Sequence, residues 1–63
     1  MKILISASSK EAAEVSLNAY FYSTTYRIRE DGAVCFTPAG KDEKQNTNLK
    51  YKVVKNRHKI YIL

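Results

Sequence analysis

Residues 22–38 read YSTTYRIREDGAVCFTP, and the β-branched and aromatic residues on both sides of Asp31-Gly32 predict a β-hairpin. Two registers are open. A two-residue turn at Asp31-Gly32 would set Ile28 opposite Cys35 and mix charged and apolar side chains on each face. A three-residue loop, with Gly32 in the left-handed conformation, would set Ile28 opposite Val34 instead.

The register with the three-residue loop is preferred, because a slip of one residue turns every side chain to the other face of a strand. It pairs Tyr26 with Phe36 and so groups the apolar side chains. The apolar face then holds Tyr26, Ile28, Val34 and Phe36, and the opposite face holds Arg27, Arg29 and Cys35.

The last sixteen residues, NLKYKVVKNRHKIYIL, predict a second hairpin with Asn56-Arg57 as its two-residue turn. This turn would set Val53 opposite Ile60 and Tyr51 opposite Ile62. Asn56 tolerates the positive φ that such a turn needs, although Arg57 occupies the position that usually holds glycine. Alternation gives an apolar face of Leu49, Tyr51, Val53, Ile60 and Ile62 and an opposite face of Lys50, Lys52, Val54, Lys59 and Tyr61.

The first third of the chain predicts a strand followed by one helix. Residues 2–6, KILIS, suit a strand that is covered on both faces. The helix should run from Ser9 to Phe21, with Ser8 and Glu11 at the spacing of a capping box. Its predicted apolar face holds Ala12, Ala13, Val15, Ser16, Leu17, Ala19 and Tyr20, of which Ala13, Leu17 and Tyr20 are predicted to be buried.

The fold class that follows is α+β in a single small domain, residues 1–63. One amphipathic helix packs on one face of a mainly antiparallel sheet, in the order β-α-β-β-β-β. Residues 39–48 follow Pro38 and include the polar tract KDEKQNTN, which predicts a mobile loop.

The single cysteine and the single histidine of the chain exclude several classes of site. A lone cysteine, Cys35, allows no internal disulfide, and Cys35 with His58 falls short of the four ligands of a structural zinc site. No cofactor motif is present, and catalysis is the least favoured class. The short apolar run at the start and the unpaired thiol indicate a cytoplasmic protein without a membrane span. A chain of 63 residues makes a small core, so a homodimer is expected.

The positive charge lies in the last third of the chain. Residues 1–40 hold four basic and four acidic residues, whereas residues 41–63 hold seven basic residues against Asp42 and Glu43. Such asymmetry is typical of proteins that bind nucleic acid or another acidic partner. If both hairpins place their apolar sides under the helix, one open face collects Arg27, Arg29, Lys50, Lys52, Lys59 and Tyr61, and these are the predicted nucleic-acid-binding residues.

Two further groups are candidates for binding. Ser8 and Ser9 precede the helix and form a secondary anion site, since helix N-termini attract phosphate. Tyr20, Phe21 and Tyr22 cannot all be buried by one helix, so they are predicted to contact a neighbouring strand or a protein partner.

The sequence therefore predicts a non-catalytic basic module that binds DNA or RNA through a basic and aromatic sheet face. The alternative is a module that binds an acidic protein surface. It would be an inhibitor of a host protein of the kind that phages and mobile elements carry, or a small homo-oligomeric interaction protein. A gel-shift series at low salt separates the two, because a protein-binding module predicts little or no binding to either nucleic acid.

Overall fold

The computed structural model describes residues 2–38 and 40–63. Five strands form one antiparallel sheet in the order β1-β5-β4-β3-β2, and one helix among the described residues follows the first strand. The predicted α+β fold and its element order are confirmed. The elements are β1 (Lys2–Ala7), α1 (Lys10–Tyr20), β2 (Tyr26–Ile28), β3 (Ala33–Phe36), β4 (Gln45–Val54) and β5 (Arg57–Ile62).

The connections explain the strand order. Strands β2 to β5 follow one another as an antiparallel meander, and β1 pairs with β5 at the far side. The chain must therefore pass from one edge of the sheet to the other between β1 and β2, and α1 makes this passage. It lies across one side of the sheet, where it contacts β1, β2 and β5.

The core lies between α1 and the sheet. Ala13 and Leu17 on the helix are fully buried, as is Ile60 on the interior strand β5. Burial of apolar side chains is the main stabilising contribution in a domain of this size. The core cluster consists of Ala7, Ala13, Leu17, Ile28, Val34, Leu49 and Ile60.

The first hairpin has the predicted register, with Tyr26 opposite Phe36 and Ile28 opposite Val34. Gly32 has a φ of +86°, as the three-residue loop requires. The carbonyl of Gly32 also accepts a hydrogen bond from the backbone N–H of Tyr51 at 2.8 Å. A Cβ atom on Gly32 would lie 2.9 Å from the carbonyl oxygen of Tyr51, so the loop packs against β4 only because this residue is glycine.

The predicted turn of the second hairpin is wrong by one position. Lys55 and Asn56, with φ of 51° and 65°, form the turn, so that Tyr51 pairs with Ile60. A turn of this kind needs positive φ at both central residues, and its second position most often holds glycine. Asn56 takes that position in the observed turn, whereas the predicted turn would have placed Arg57 there. The shift in pairing is two residues, so each side chain keeps its predicted face.

The helix begins one residue later than predicted. Ser9 is its N-cap, because the Ser9 Oγ accepts a hydrogen bond from the backbone N–H of Ala12 at 3.0 Å. The predicted capping box of Ser8 with Glu11 is therefore wrong.

The buried side of the helix also differs from the prediction. Tyr20 is 56% exposed rather than buried, and Val15 is 68% exposed, whereas Ala13 and Leu17 are buried as predicted. The helix is turned so that the side holding Glu14 and Asn18, which the apolar periodicity assigned to solvent, faces β2.

Polar contacts between α1 and β2 hold the helix in this orientation. The Asn18 Oδ1 accepts from the Tyr26 backbone N–H at 2.8 Å, and the Asn18 Nδ2 donates to the Tyr26 carbonyl at 3.2 Å. The Glu14 Oε2 accepts from the Ile28 backbone N–H at 3.3 Å. These side chains thus satisfy edge groups of β2 that a further strand would otherwise bind.

Two strands differ from the prediction: β1 in the burial of its faces, and β4 in the residue at which it begins. β1 is an edge strand whose Ile3 is exposed, so it is not covered on both faces. β4 begins at Gln45 instead of residue 49. The Thr47 hydroxyl donates to the Val34 carbonyl at 2.7 Å and accepts from the Leu49 backbone N–H at 3.1 Å across an irregularity in the β3–β4 pairing. Part of the predicted loop 39–48 is therefore strand, and Ala39 lies outside the described residues.

Replacing Leu17 with alanine should lower the free energy of unfolding by about 2–5 kcal/mol, because the truncation leaves a cavity in a closed core. Val15→Ala is the matched control on the exposed side of α1, and its effect should stay within about 0.5 kcal/mol. Chemical denaturation in dilute solution measures both values. Equal losses in the two variants would contradict the observed orientation of the helix.

Replacing Asn18 with alanine should cost about 1–3 kcal/mol, because the backbone N–H of Tyr26 loses its partner and the Tyr26 carbonyl keeps only the bond from Arg27. The Tyr26 amide should also exchange its hydrogen faster than in the wild type, as amide hydrogen exchange by NMR would show. Ser16→Ala, at an exposed helix position, is the control. An unchanged exchange rate at Tyr26 would refute the role assigned to Asn18.

Candidate nucleic-acid interface

The candidate interface is the side of the sheet that faces away from α1. No helix in the described part of the chain lies on this side. The strands β4 and β5 place five polar side chains there by simple alternation. We call this group the basic face: Lys50, Lys52, Arg57, Lys59 and Tyr61.

Like charges lie directly opposite each other in the basic face. Lys52 pairs with Lys59 across the two strands, and Lys50 pairs with Tyr61. Side chains at such positions have their Cβ atoms about 4.5–5.5 Å apart, and like charges there destabilise a sheet. Within residues 2–38 and 40–63 the one ion pair joins Arg27 and Glu14, so Lys52 and Lys59 have no carboxylate partner.

Arg57 is a member of the basic face that the sequence analysis missed. It pairs with Val54, and its Nε donates to the Ser6 Oγ of β1 at 3.2 Å. The predicted turn at Asn56-Arg57 removed this residue from the strand. The signal that could have found it is the positive φ at the second position of a two-residue turn, which asparagine tolerates better than arginine does.

Arg27 does not extend over the basic face, although its backbone position is the predicted one. Its Nη1 lies 3.8 Å from the Glu14 Oε1 and donates to the carbonyls of Thr24 and Tyr26 at 3.0 and 2.8 Å. Because β2 is an edge strand, this long side chain bends around the edge towards the helix. Its guanidinium is thus already bound to oxygen atoms of the chain.

Arg29 and Asp31 lie at the border of the basic face. The Lys50 Nζ is 3.4 Å from the Asp31 carbonyl oxygen. A hydrogen bond from the Ala33 backbone N–H, together with the charges of Arg29 and Lys50, holds the pKa of the Asp31 carboxyl below its ordinary value. One carboxylate therefore borders this otherwise cationic surface, next to Lys50.

The predicted anion site at Ser8 and Ser9 is only partly free. The Ser9 Oγ is bound to the first turn of the helix, as described above, and Ser8 is exposed. The helix lies on the side of the sheet opposite the basic face, so the two predicted sites do not combine.

The aromatic residues at the end of α1 divide into stacked and free rings. Phe21 stacks on Tyr26 at a centroid distance of 5.0 Å, and Tyr26 stacks on Phe36 at 4.8 Å. Tyr22 is 99% exposed and has a φ of +51°, a conformation that usually requires glycine at a helix end. Tyr20, which meets Phe21 edge to face, is also mostly exposed.

The thiol of Cys35 and the imidazole of His58 lie apart and make contacts with different residues. Cys35 is only 3% exposed, and its Sγ lies 3.6 Å from the Asn46 Oδ1. His58 lies in β5 rather than in a turn, and its Nδ1 is 2.6 Å from the hydroxyl of Tyr51 on the helix side of the sheet. The described residues contain no group of three or more potential metal ligands and no helix long and apolar enough to cross a membrane.

Comparison of the chain with models of known protein families, with curated proteins and with solved structures finds no match.

Proposed function

We propose that this chain is a non-catalytic module that binds nucleic acid by holding its phosphate backbone against the basic face. The observation that supports this proposal most strongly is the pairing of Lys52 with Lys59 on an uncovered side of the sheet. A polyanion that binds there neutralises both charges at once.

Simple exposure to solvent explains why these lysines point outward, but not why their neighbours have the same sign. A solvated face usually mixes both signs of charge, because opposite charges on neighbouring strands stabilise a sheet by about 0.2–1 kcal/mol and like charges destabilise it. The fold bears this cost at Lys52 and Lys59 without a carboxylate beside them. Release of counterions from bound phosphates would more than offset it.

Tyr61 adds an aromatic ring to the charged surface. It lies opposite Lys50 and two residues after Lys59, so cations flank it on both strands. Proteins that bind single strands combine a positively charged surface with aromatic side chains on which bases stack. A single strand laid across β4 and β5 would meet both features.

Two properties of the fold fit a binding role in a reducing compartment, for which we propose the cytoplasm. Cys35 is a buried free thiol, and His58 is bound to Tyr51 on the other side of the sheet. Neither side chain is placed to activate the other.

Lys52→Glu should weaken binding to single strands and to duplexes of any sequence, because it removes one phosphate contact and adds a repulsive charge. Fluorescence anisotropy with labelled oligonucleotides over a range of salt concentrations measures the effect. For the wild type, four contacts predict a slope of log K against log[salt] of about −3 on single strands. The slope should become shallower by about 0.7 or more in the variant.

Lys41→Glu is the matched control, since it makes the same change of charge in the loop before β4. It should bind almost as the wild type does. Lys52→Glu should be at least as stable as the wild type, because it places opposite charges across the strands. Equal binding by the two variants would contradict the proposal. No wild-type binding at low salt would favour the alternative partner, an acidic protein surface.

Tyr61→Ala should weaken binding to single strands by roughly 5- to 150-fold and leave duplex binding nearly unchanged, since a stacked base contributes about 1–3 kcal/mol. Tyr61→Phe keeps the ring and should bind as the wild type does. The same anisotropy assay compares the three proteins, after circular dichroism has shown that each is folded. A loss of equal size on duplexes would show that Tyr61 does not act by stacking.

A further inference from the structure

The solvent side of α1 beyond Glu11 is largely apolar, which is unusual for a surface helix. Surface helices normally turn their charged residues towards water and their apolar residues towards the core. Here the polar residues Glu14 and Asn18 bind β2, and Lys10 lies 5.9 Å from the ring centroid of Tyr51. We call the opposite side of the helix the outer helix side: Ala12, Val15, Ser16, Ala19 and Tyr20.

The outer helix side carries no charge, and all of it is exposed except Ala12, which is half-buried against the core cluster. Val15 and Tyr20 are 68% and 56% exposed, and Ser16 and Ala19 are also accessible to solvent. Glu11 is the nearest charged residue on the solvent-facing part of the helix. An exposed apolar strip of this kind, bordered by polar residues, is typical of an interaction surface.

Two further aromatic rings, of which Phe21 is stacked on Tyr26, extend this surface beyond the end of the helix. Phe21 and Tyr22, 40% and 99% exposed, follow Tyr20 directly. A whole aromatic side chain presents about 150–250 Å² of surface, so the exposed parts of these three rings amount to about 300–500 Å². Together with Val15 and the alanines, two copies would bury about 1,000 Å² or more, which is the lower limit for a specific interface.

We propose that the outer helix side binds a second copy of this chain, with the two helices antiparallel about a two-fold axis near Ser16. The strip has a small residue, Ala12, at one end and a large one, Tyr20, at the other. Two-fold symmetry brings each Tyr20 over the Ala12 of the other copy, so large and small residues alternate across the contact. The small side chains of Ser16 and Ala19 allow the helix axes to approach closely.

Charge also limits which surface two copies could share. Each chain has a net charge of +5, so contact through a charged surface would be repulsive. The outer helix side contains none of this charge, and the basic face lies on the far side of each sheet. The pair therefore joins the two chains at their least charged surfaces.

Analytical ultracentrifugation from about 1 to about 300 µM tests the proposal, with dimer formation expected at the upper end. The mass should rise from 7.2 kDa towards twice that value. Ala19→Glu should raise the dissociation constant at least tenfold, because it would bury an unpaired carboxylate from each copy in the contact. Gln45→Glu makes the same change of charge at an exposed position of β4 and should leave the constant within twofold.

Disulfide cross-linking tests the arrangement of the helices independently. Ser16→Cys should form a covalent dimer under mild oxidation at least tenfold faster than Gln45→Cys, since only Ser16 lies near the proposed axis. Cys35 is buried and common to both variants. A single-chain mass at all concentrations, an undisturbed dimer in Ala19→Glu, or equal cross-linking rates would each overturn the proposal. None of these measurements involves nucleic acid, so the proposed function is tested separately.

Discussion

The side-chain amide of Asn18 connects α1 to β2, and the orientation of the helix depends on this connection. Its two hydrogen bonds to Tyr26 copy those that a neighbouring strand would make. With Asn18 facing the sheet edge, Leu17 enters the core and Val15 is left in solvent. The contact of Asn18 with Tyr26 therefore accounts for three features together: the occupied edge of β2, the packed core and the exposed apolar side of α1.

Much of the fold could be predicted from the sequence because hydrophobic alternation determines the faces of strands. Both hairpins have the predicted faces, even though the second has a different turn at Lys55 and Asn56. The orientation of the helix could not be predicted in this way. Periodicity assigns Asn18 to solvent because it is polar, and hydrogen bonds to a distant strand leave no mark in the apolar pattern.

For the candidate site, too, the sequence pattern predicts strand positions better than it predicts side-chain contacts. Four residues lie together on β4 and β5 as predicted: Lys50, Lys52, Lys59 and Tyr61. The pairing differs from the predicted one by two residues, and a shift by an even number leaves every side chain on the same face. Arg27 has the predicted backbone position, but its long side chain follows the nearest oxygen atoms around the sheet edge. Sequence alternation thus places backbone positions well. The same alternation predicts where the charged end of a long side chain lies only on an interior strand, because there the side chain cannot bend around an edge of the sheet.

The closed edge of β2 limits how far the sheet itself can grow. A sheet extends into a fibre only if every chain offers two free edges. In this chain α1 occupies the edge groups of β2, and β1 is the other outer strand. Chains that joined through β1 would leave a capped strand at each end of the combined sheet. Growth by edge pairing would therefore stop at two chains.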